Sequence, residues 1–559
     1  MKKMCKVFSL IFVCLMVFQL STSALMKYPM SYIYTGADND KLNTTGKLFI
    51  PITHTVDQVY DNVVVETEDV YDEETGEYLD TRTITPIYGE YDMVASTFDS
   101  AADLFITDDN IMYIADKGNN RIVKMDQTGK TLAIYYGAYV LKEEAPAALE
   151  PETWKEDRYF SAFSDPTGVF ADKDGTIYVA DSRNKRIVRM NQEGVMVGPY
   201  DEDGNILVKK VVANETEIQV IGYGKPESEL LNSTIDYMPS KVAVGSSGYI
   251  YTLVGKDFMA IDDRNNFRGY FGTIKVKFNP IYSFLESILT EEQFEKLNPP
   301  ETDAYKNFTI DAEGRFLACC NADTNQIRLI NAVGNNVYPP GFYGEVLSID
   351  ENENDYVYPN FADIASDKSG IVSALDGESG YVYQYDKEGN LLTVFGGFGE
   401  NRGYFQLPNS VATDSVGNIY VLDAGLGNIQ RFTTTEFMEN IRSAATLYFD
   451  GKYNEAEVIW KEILEACSDY PLAHNRLGTI CYKNGDYAAA QEHYLVANNM
   501  EGYSNAFDKQ RHAYMKENFI LVVVIIVVIC AALFMLLGRM KKYSNKIRDK
   551  VYKERRGLQ

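Results

Sequence analysis

The side chains best suited to acid–base chemistry near neutral pH are scarce in this chain: His54, His474, His493 and His512 are its only histidines. Of the cysteines, Cys5 and Cys14 fall in the leader and Cys530 in an apolar run, and Cys319, Cys320, Cys467 and Cys481 show no C-x-x-C spacing. That pattern spells neither a zinc site, a redox pair nor a disulfide framework. The sequence has no G-x-S-x-G nucleophile elbow and no phosphate-binding glycine loop. The groups that do recur are carboxylates. Asp116, Asp181, Asp376 and Asp423 each close an apolar run just before a short polar turn. Such groups can hold a divalent cation or act as general bases, but an Asp at a strand-to-turn junction first accepts the backbone N–H groups of its own turn. A second set, Glu66, Glu68, Asp69, Asp72, Glu73, Glu74, Glu77 and Asp80, crowds around Gly76. It would attract a divalent cation such as calcium, yet it lacks the ligand spacing of a calcium loop and reads as a solvated acidic tip. No residue is therefore assigned as catalytic, cofactor-binding or metal-ligating.

The elements that carry the repeated aspartates are hairpins. Met112 to Met125 holds two short apolar runs around Asp116-Lys117-Gly118-Asn119-Asn120. Ile177 to Met190 and Ile419 to Phe432 repeat the pattern around Asp181 and Asp423. Weaker copies follow Gly248, Gly314 and Gly370, which with the turn residues Asn110, Gly175 and Gly417 make six. Pro166, Pro239 and Pro408 stand nine residues before the glycine of their copies, at strand entrances where a missing N–H costs little. A lone hairpin cannot cover both of its faces, so the copies must pack on one another. These residues resemble the NHL repeat. Six copies imply a mainly β fold, a six-bladed NHL-like β-propeller over 96–435. Spacings of 47 to 73 residues, against roughly 40–50 for a four-stranded blade, predict insertions in most blades. One of these, Asn279 to Asn298, has apolar residues at helical spacing and stops at Pro299-Pro300, which predicts an inserted helix.

Residues 1–24 combine a basic head, an apolar run and small residues up to Ala24, the pattern of a secretory signal peptide. Phe519 to Leu537 is uncharged for nineteen residues, about 29 Å as a helix, which suffices for one transmembrane helix at 519–538. The tail 539–559 carries nine Lys or Arg against Asp549 and Glu554. Basic residues stay on the cytoplasmic side, so a single-pass anchor in the cell membrane is expected, with the N-terminal ectodomain outside. Tyr543, Ile547 and Val551 recur every four residues in the tail, which is expected to lie as a helix along the anionic inner leaflet. With leader and tail set aside, the net charge of −27 becomes still more negative. An acidic ectodomain repels phosphate backbones, so nucleic acid is not the expected partner.

Over 436–516 the apolar period changes to about 3.6. Tyr448/Tyr482, Gly451/Gly485, Tyr453/Tyr487, Ala456/Ala490, Trp460/Tyr494 and Ile463/Ala497 stand 34 residues apart. With Pro471 and Leu477-Gly478 they resemble two tetratricopeptide (TPR) repeats, which implies paired helices with a protein-binding surface. A capping helix from about Tyr503 to Lys516 would lead to the membrane.

The whole layout resembles surface proteins of Gram-positive bacteria that carry NHL repeats. That resemblance implies association with a sugar transport system and supplies no functional residues. The expected function is a membrane-anchored extracellular binding or scaffold protein, recognising a protein, peptide or carbohydrate through its propeller and TPR surfaces, with a transporter component as one partner class. Two alternatives stay open: a metal-dependent lactonase-like hydrolase, since gluconolactonase-type enzymes share the six-bladed propeller and hold a divalent ion with acidic and amide side chains, and a passive structural spacer. Lyases of related propeller families rely on channel-facing histidines, of which 96–435 contains none. Tyr113, Tyr178, Tyr251 and Tyr420 occupy repeat positions and are expected in the core rather than on a sugar-binding face.

The last copy supplies only three strands before the helical period begins. The lead-in and acidic hairpin at 25–95 contain an apolar-alternating run, Val56 to Val65, that has no other place. It is expected to pair with Ile429 to Phe432 and close the ring, because an unjoined propeller exposes strand edges and frays. Tyr32 to Pro51 reads as an irregular lead-in.

Overall fold

The computed structural model describes residues 31–35, 46–71, 78–89, 95–145, 157–213, 216–231, 235–272, 304–322, 324–350 and 355–557. The expected signal peptide, the tip of the acidic hairpin and the expected helix at Asn279 to Asn298 lie outside these residues. The chain divides into two compact units, Met1–Lys452 and Tyr453–Gln559.

The first unit is a six-bladed β-propeller. The inner strands of its blades are Asp103–Ile106, Pro166–Ala171, Pro239–Val244, Tyr305–Ile310, Phe361–Ser366 and Pro408–Thr413, each antiparallel to the strand that follows it. Those second strands, among them Met112–Asp116, Ile177–Asp181 and Ile419–Asp423, are buried along their whole length. A blade is covered on both faces by its neighbours, so its middle strands are continuously apolar rather than strictly alternating. The core accordingly lies between blades: Ile114 and Val123 of blade 1 pack with Tyr420 and Leu422 of blade 6, which in turn packs Val421 and Phe432 against Leu375 and Phe395 of blade 5.

One local device recurs at the turns between strands. Asp172 Oδ1 accepts the N–H groups of Asp174 at 3.0 Å and Thr176 at 2.8 Å, while Gly175, at φ +84°, donates to the Asp172 carbonyl. Asp126, Asp262, Asp311, Asp386 and Asp414 cap their own turns in the same way. An Asx turn with glycine in the left-handed region is what the sequence D-x-x-G favours.

The segment before blade 1 lies along the outer rim. His54–Tyr60 pairs antiparallel with Asn428–Thr434, with Val56 opposite Phe432 and Tyr60 opposite Ile429, and supplies the fourth strand of blade 6. Upstream, Tyr32–Thr35 and Gly46–Phe49 form a hairpin whose Tyr32 lies opposite Val394 on the edge of blade 5. The stretch expected to be an irregular lead-in therefore becomes sheet, because the outer edge of blade 5 offers it unpaired backbone groups. Downstream, Ile87–Tyr88 runs parallel to Ile134–Tyr135 on the edge of blade 1. Between these contacts Thr67–Tyr71 and Tyr78–Thr83 form the hairpin that carries the acidic residues.

After Thr434 the chain turns helical at Glu436–Phe449, capped by the Thr435 hydroxyl. This helix belongs to the first unit, and its Arg442 holds Asp367 at 2.5 Å and the Gly417 carbonyl at 3.2 Å. The second unit comprises Tyr453–Ala466, Pro471–Asn484, Tyr487–Val496, Met500–Glu517 and Phe519–Arg556. Pro471 opens its helix and Gly485, at φ +84°, closes it, as a missing N–H and a missing Cβ respectively allow. A Cβ at Gly478 would stand 2.9 Å from the Tyr494 ring, so the small residue permits this close helix approach. Phe519–Arg556 is the one helix among the described residues that is long and apolar enough to cross a membrane.

Candidate functional site

The inner strand of a propeller blade is a sheet edge facing the axis, and its outward N–H groups have no ladder partner. In blades 2 to 6 the register slips by one residue at the second position of this strand. The register places Asp103, Gly168, Lys241, Asn307, Asp363 and Ser410 at equivalent positions, opposite Ala115, Ala180, Leu253, Cys319, Leu375 and Leu422. They form a polar ring at the centre of the propeller. Charged side chains come from blades 1, 3 and 5, and glycine, asparagine and serine from blades 2, 4 and 6.

These side chains cap the edge. Asp103 Oδ2 accepts Val169 N at 2.9 Å, Asp363 Oδ2 accepts Val411 N at 2.8 Å, and Ser410 Oγ accepts Leu104 N at 3.2 Å, each from one blade to the next. Asn307 and Asp363 also accept the N–H of their own following residue, Phe308 and Ile364, at 2.8 Å. Lys241, a donor only, instead crosses to blade 1 and bonds Asp103 Oδ1 at 2.5 Å. The Ser410 hydroxyl donates to Asp363 Oδ2 at 2.6 Å and lies 3.3 Å from Asp103 Oδ1. Asp103 and Asp363 are each 1% exposed, Ser410 0% and Lys241 9%.

Burial disfavours the Lys241 ammonium, but Asp103 and Asp363 more than offset it, so its pKa is raised and it stays charged. Burial pushes Asp363 up to about 6; Lys241 opposes the rise, and the negative charge of Asp103 adds to it. The Cys319 thiol, facing the same charges, is pushed well above its ordinary value by burial and by Asp363. Neither a neutral lysine amine nor a cysteine thiolate is therefore presented as a nucleophile. A divalent ion of the lactonase kind does not fit either: the Lys241 ammonium takes Asp103, and the Asp363 oxygens are engaged by Ser410, Val411 and Ile364.

The aspartates singled out by the repeat are structural, but only Asp376 and Asp423 cap their own turns as expected, taking the N–H groups of Glu378 and Gly425. Asp116 and Asp181 instead take an N–H from the segment that enters the blade. Asp116 accepts Asp99 N, Asp181 accepts Ser164 N, Asp376 accepts Glu378 N, and Asp423 accepts Gln406 N and Leu407 N. In blades 1 and 2 the aspartate also binds a buried arginine, Arg121 to Asp116 and Arg186 to Asp181, both at 2.7 Å. Those arginines reach back to the carbonyls of Thr97 and Ala162, just upstream of the blade's inner strand. Tyr113, Tyr178, Tyr251 and Tyr420 are all buried. His54 is buried on the closing strand, stacked on Phe395 and bonded to Thr53, and burial lowers its pKa to about 3. His474 and His493 place their Nδ1 atoms 2.9 Å apart, a hydrogen bond between helices. Cys467 and Cys481 are free thiols. Within the acidic hairpin, Glu66 pairs with Lys130 at 2.9 Å and Glu68 with Arg82. No three His, Cys, Asp or Glu side chains among the described residues are grouped to hold a metal.

Sequence reasoning passed over the central ring. The available signal was the strand-entrance proline, since Gly168, Lys241 and Ser410 each stand two residues after one.

Fold and centre together define a six-bladed β-propeller followed by a helical unit. The NHL repeat model matches residues 163–190, the heart of blade 2. No curated protein sequence matches the chain. Among solved structures, the chain is similar to virginiamycin B lyase from Staphylococcus aureus, with TM-score 0.33 and 10% identity over 60% of this chain and 94% of that one. A gluconolactonase from Xanthomonas campestris gives TM-score 0.34 and 10% identity over 61% and 89%. The WD40 propeller domain of Doa1 gives TM-score 0.32 and 12% identity over 74% and 98%.

Proposed function

We propose that this chain is a membrane-anchored extracellular binding protein whose propeller and TPR-like helices act as recognition surfaces, with a sugar-transport component as the partner class. The observation that supports it most directly is the Lys241 ammonium seated against Asp103 at the propeller centre. Groups that would otherwise hold an ion or activate water are engaged there in joining blades. Recognition then falls to the faces. On the face where the inner strands begin, Phe398 is 71% exposed, Leu407 54% and Tyr358 52%. Phe398, just after the last strand of blade 5, bridges in parallel to Phe405, two residues before Leu407 at the entrance of blade 6. Open aromatic and aliphatic groups of this kind suit the flat face of a sugar or the apolar side chains of a protein.

The test is cross-linking in intact membranes of the full chain and of a Phe398→Asp/Leu407→Asp variant, which leaves the blade cores untouched. The intact chain should capture a defined partner that the variant loses. Stoichiometric divalent-ion binding and lactone turnover by the purified chain, both abolished by Asp103→Asn, would replace this reading with the lactonase-like hydrolase. Identical neighbours for the intact chain and the variant would leave a spacer.

A further inference from the structure

We propose that residues 539–556 form a lipid-binding helix whose apolar stripe, bordered by lysine and arginine, docks on a bilayer surface containing anionic phospholipid. The helix that begins at Phe519 continues to Arg556, so the tail can be read as a surface. Leu536, Met540, Tyr543, Ile547 and Val551 fall within about 80° of its circumference at roughly 3.6 residues per turn, and the stripe ends there because Glu554 lies on the same line as Leu536. All five are exposed, from 44% at Val551 to 69% at Tyr543. Arg539, Lys546 and Lys550 run along one border of the stripe and Lys541, Arg548 and Arg555 along the other.

The borders decide between occupants. A second copy of the helix laid on this stripe would bring basic borders together, and like charges flanking an apolar seam oppose pairing. A layer of anionic headgroups meets both borders with opposite charge and gives the stripe an acyl boundary to enter. The stripe is also continuous with the apolar span, since Leu536 belongs to both. Gly538 stands at the junction with open space around it. The helix runs unbroken through Gly538, but glycine is the weakest helix former apart from proline, and the proposed docking has the helix bend there in a bilayer so that the tail lies along its plane. This surface is separate from any partner of the ectodomain and requires only that the span sits in a bilayer.

The full chain and its Tyr543→Trp variant are reconstituted into vesicles of brominated phosphatidylcholine, alone or with roughly one third phosphatidylglycerol. The emission added by Tyr543→Trp should be blue-shifted and quenched only where phosphatidylglycerol is present. Salt should weaken the quenching, and adding Ile547→Asp and Val551→Asp should abolish it while the protein stays in the bilayer through its span. Equal quenching in both lipid mixtures, or none in either, overturns the proposal. Efficient disulfide cross-linking between copies of Ile547→Cys on a Cys530→Ala background also overturns it, by making a second copy the occupant.

Discussion

The two edges of the propeller blades meet the same physical demand by different means. At the axis, unpaired N–H groups are capped by the side chains of Asp103, Asn307, Asp363 and Ser410, with Lys241 joining blade 3 to blade 1. At the rim, the N-terminal segment supplies main chain: a hairpin to blade 5, a strand to blade 6 and a short parallel strand to blade 1. Capping by side chains depends on particular residues and on their charge, whereas a backbone ladder can be supplied by almost any sequence. The axis should therefore respond to single substitutions and to pH, and the rim mainly to deletion.

Deleting residues 25–66 should have the largest effect. It removes the ladder to Asn428–Thr434 and the burial of Tyr60 and Val63, and should lower propeller stability by on the order of 5 kcal/mol in one cooperative step. Thermal unfolding followed by circular dichroism measures this. A deletion variant that melts like the intact chain would make the rim strands dispensable.

At the axis, Lys241→Met should cost about 3–5 kcal/mol, because two buried carboxylates lose their counter-charge. Denaturant titration reads the loss. A value below about 1 kcal/mol, the range of exposed pairs, would mean that the centre behaves as surface.

Asp363 gives the axis a pH dependence. Its folded-state pKa, about 6, lies above its ordinary 3.8, so the folded state binds the proton more tightly. The stability that this contributes is fully present below the ordinary value and lost as pH rises through about 6, amounting to about 3 kcal/mol across that window. Asp363→Asn keeps an acceptor for Val411 N and should flatten this slope. Urea titrations of both proteins across the same window test it, and identical slopes would remove Asp363 from the account.

The smallest effect is expected from a side chain at the rim. Arg431 binds Asp57 at 2.9 and 3.0 Å, but the ladder beside it holds the strand regardless. Arg431→Ala should cost about 0.5–1 kcal/mol. A double-mutant cycle with Asp57→Ala measures the coupling, and a coupling above about 2 kcal/mol would mean that side chains secure the rim as well.

Much of the fold is legible in the sequence because its causes are local. The D-x-x-G turns, the hairpin copies, the helical period after Thr434 and the apolar run at Phe519 each depend on residues within a few positions of one another. The missing strand of the sixth copy even points to its replacement, since the run Val56 to Val65 has no other place, although the strand itself starts earlier and stops at Tyr60. The register of that pairing, with a slip between Val56 and Gln58, is not local information. Nor is the hairpin of Tyr32–Thr35 and Gly46–Phe49, which becomes regular only against blade 5.

The central ring belongs wholly to the tertiary structure. Lys241 and Asp103 are 138 positions apart, and Ser410 and Asp103 are 307. Strand-entrance prolines mark where three of the ring residues stand in their blades, but not that the blades converge or that a lysine meets two carboxylates. Sequence alone determines the repeated unit, through turn chemistry and periodicity over short separations. Which side chains face one another across the axis is set only when six such units close, because closure alone removes the water that would otherwise keep those charges apart.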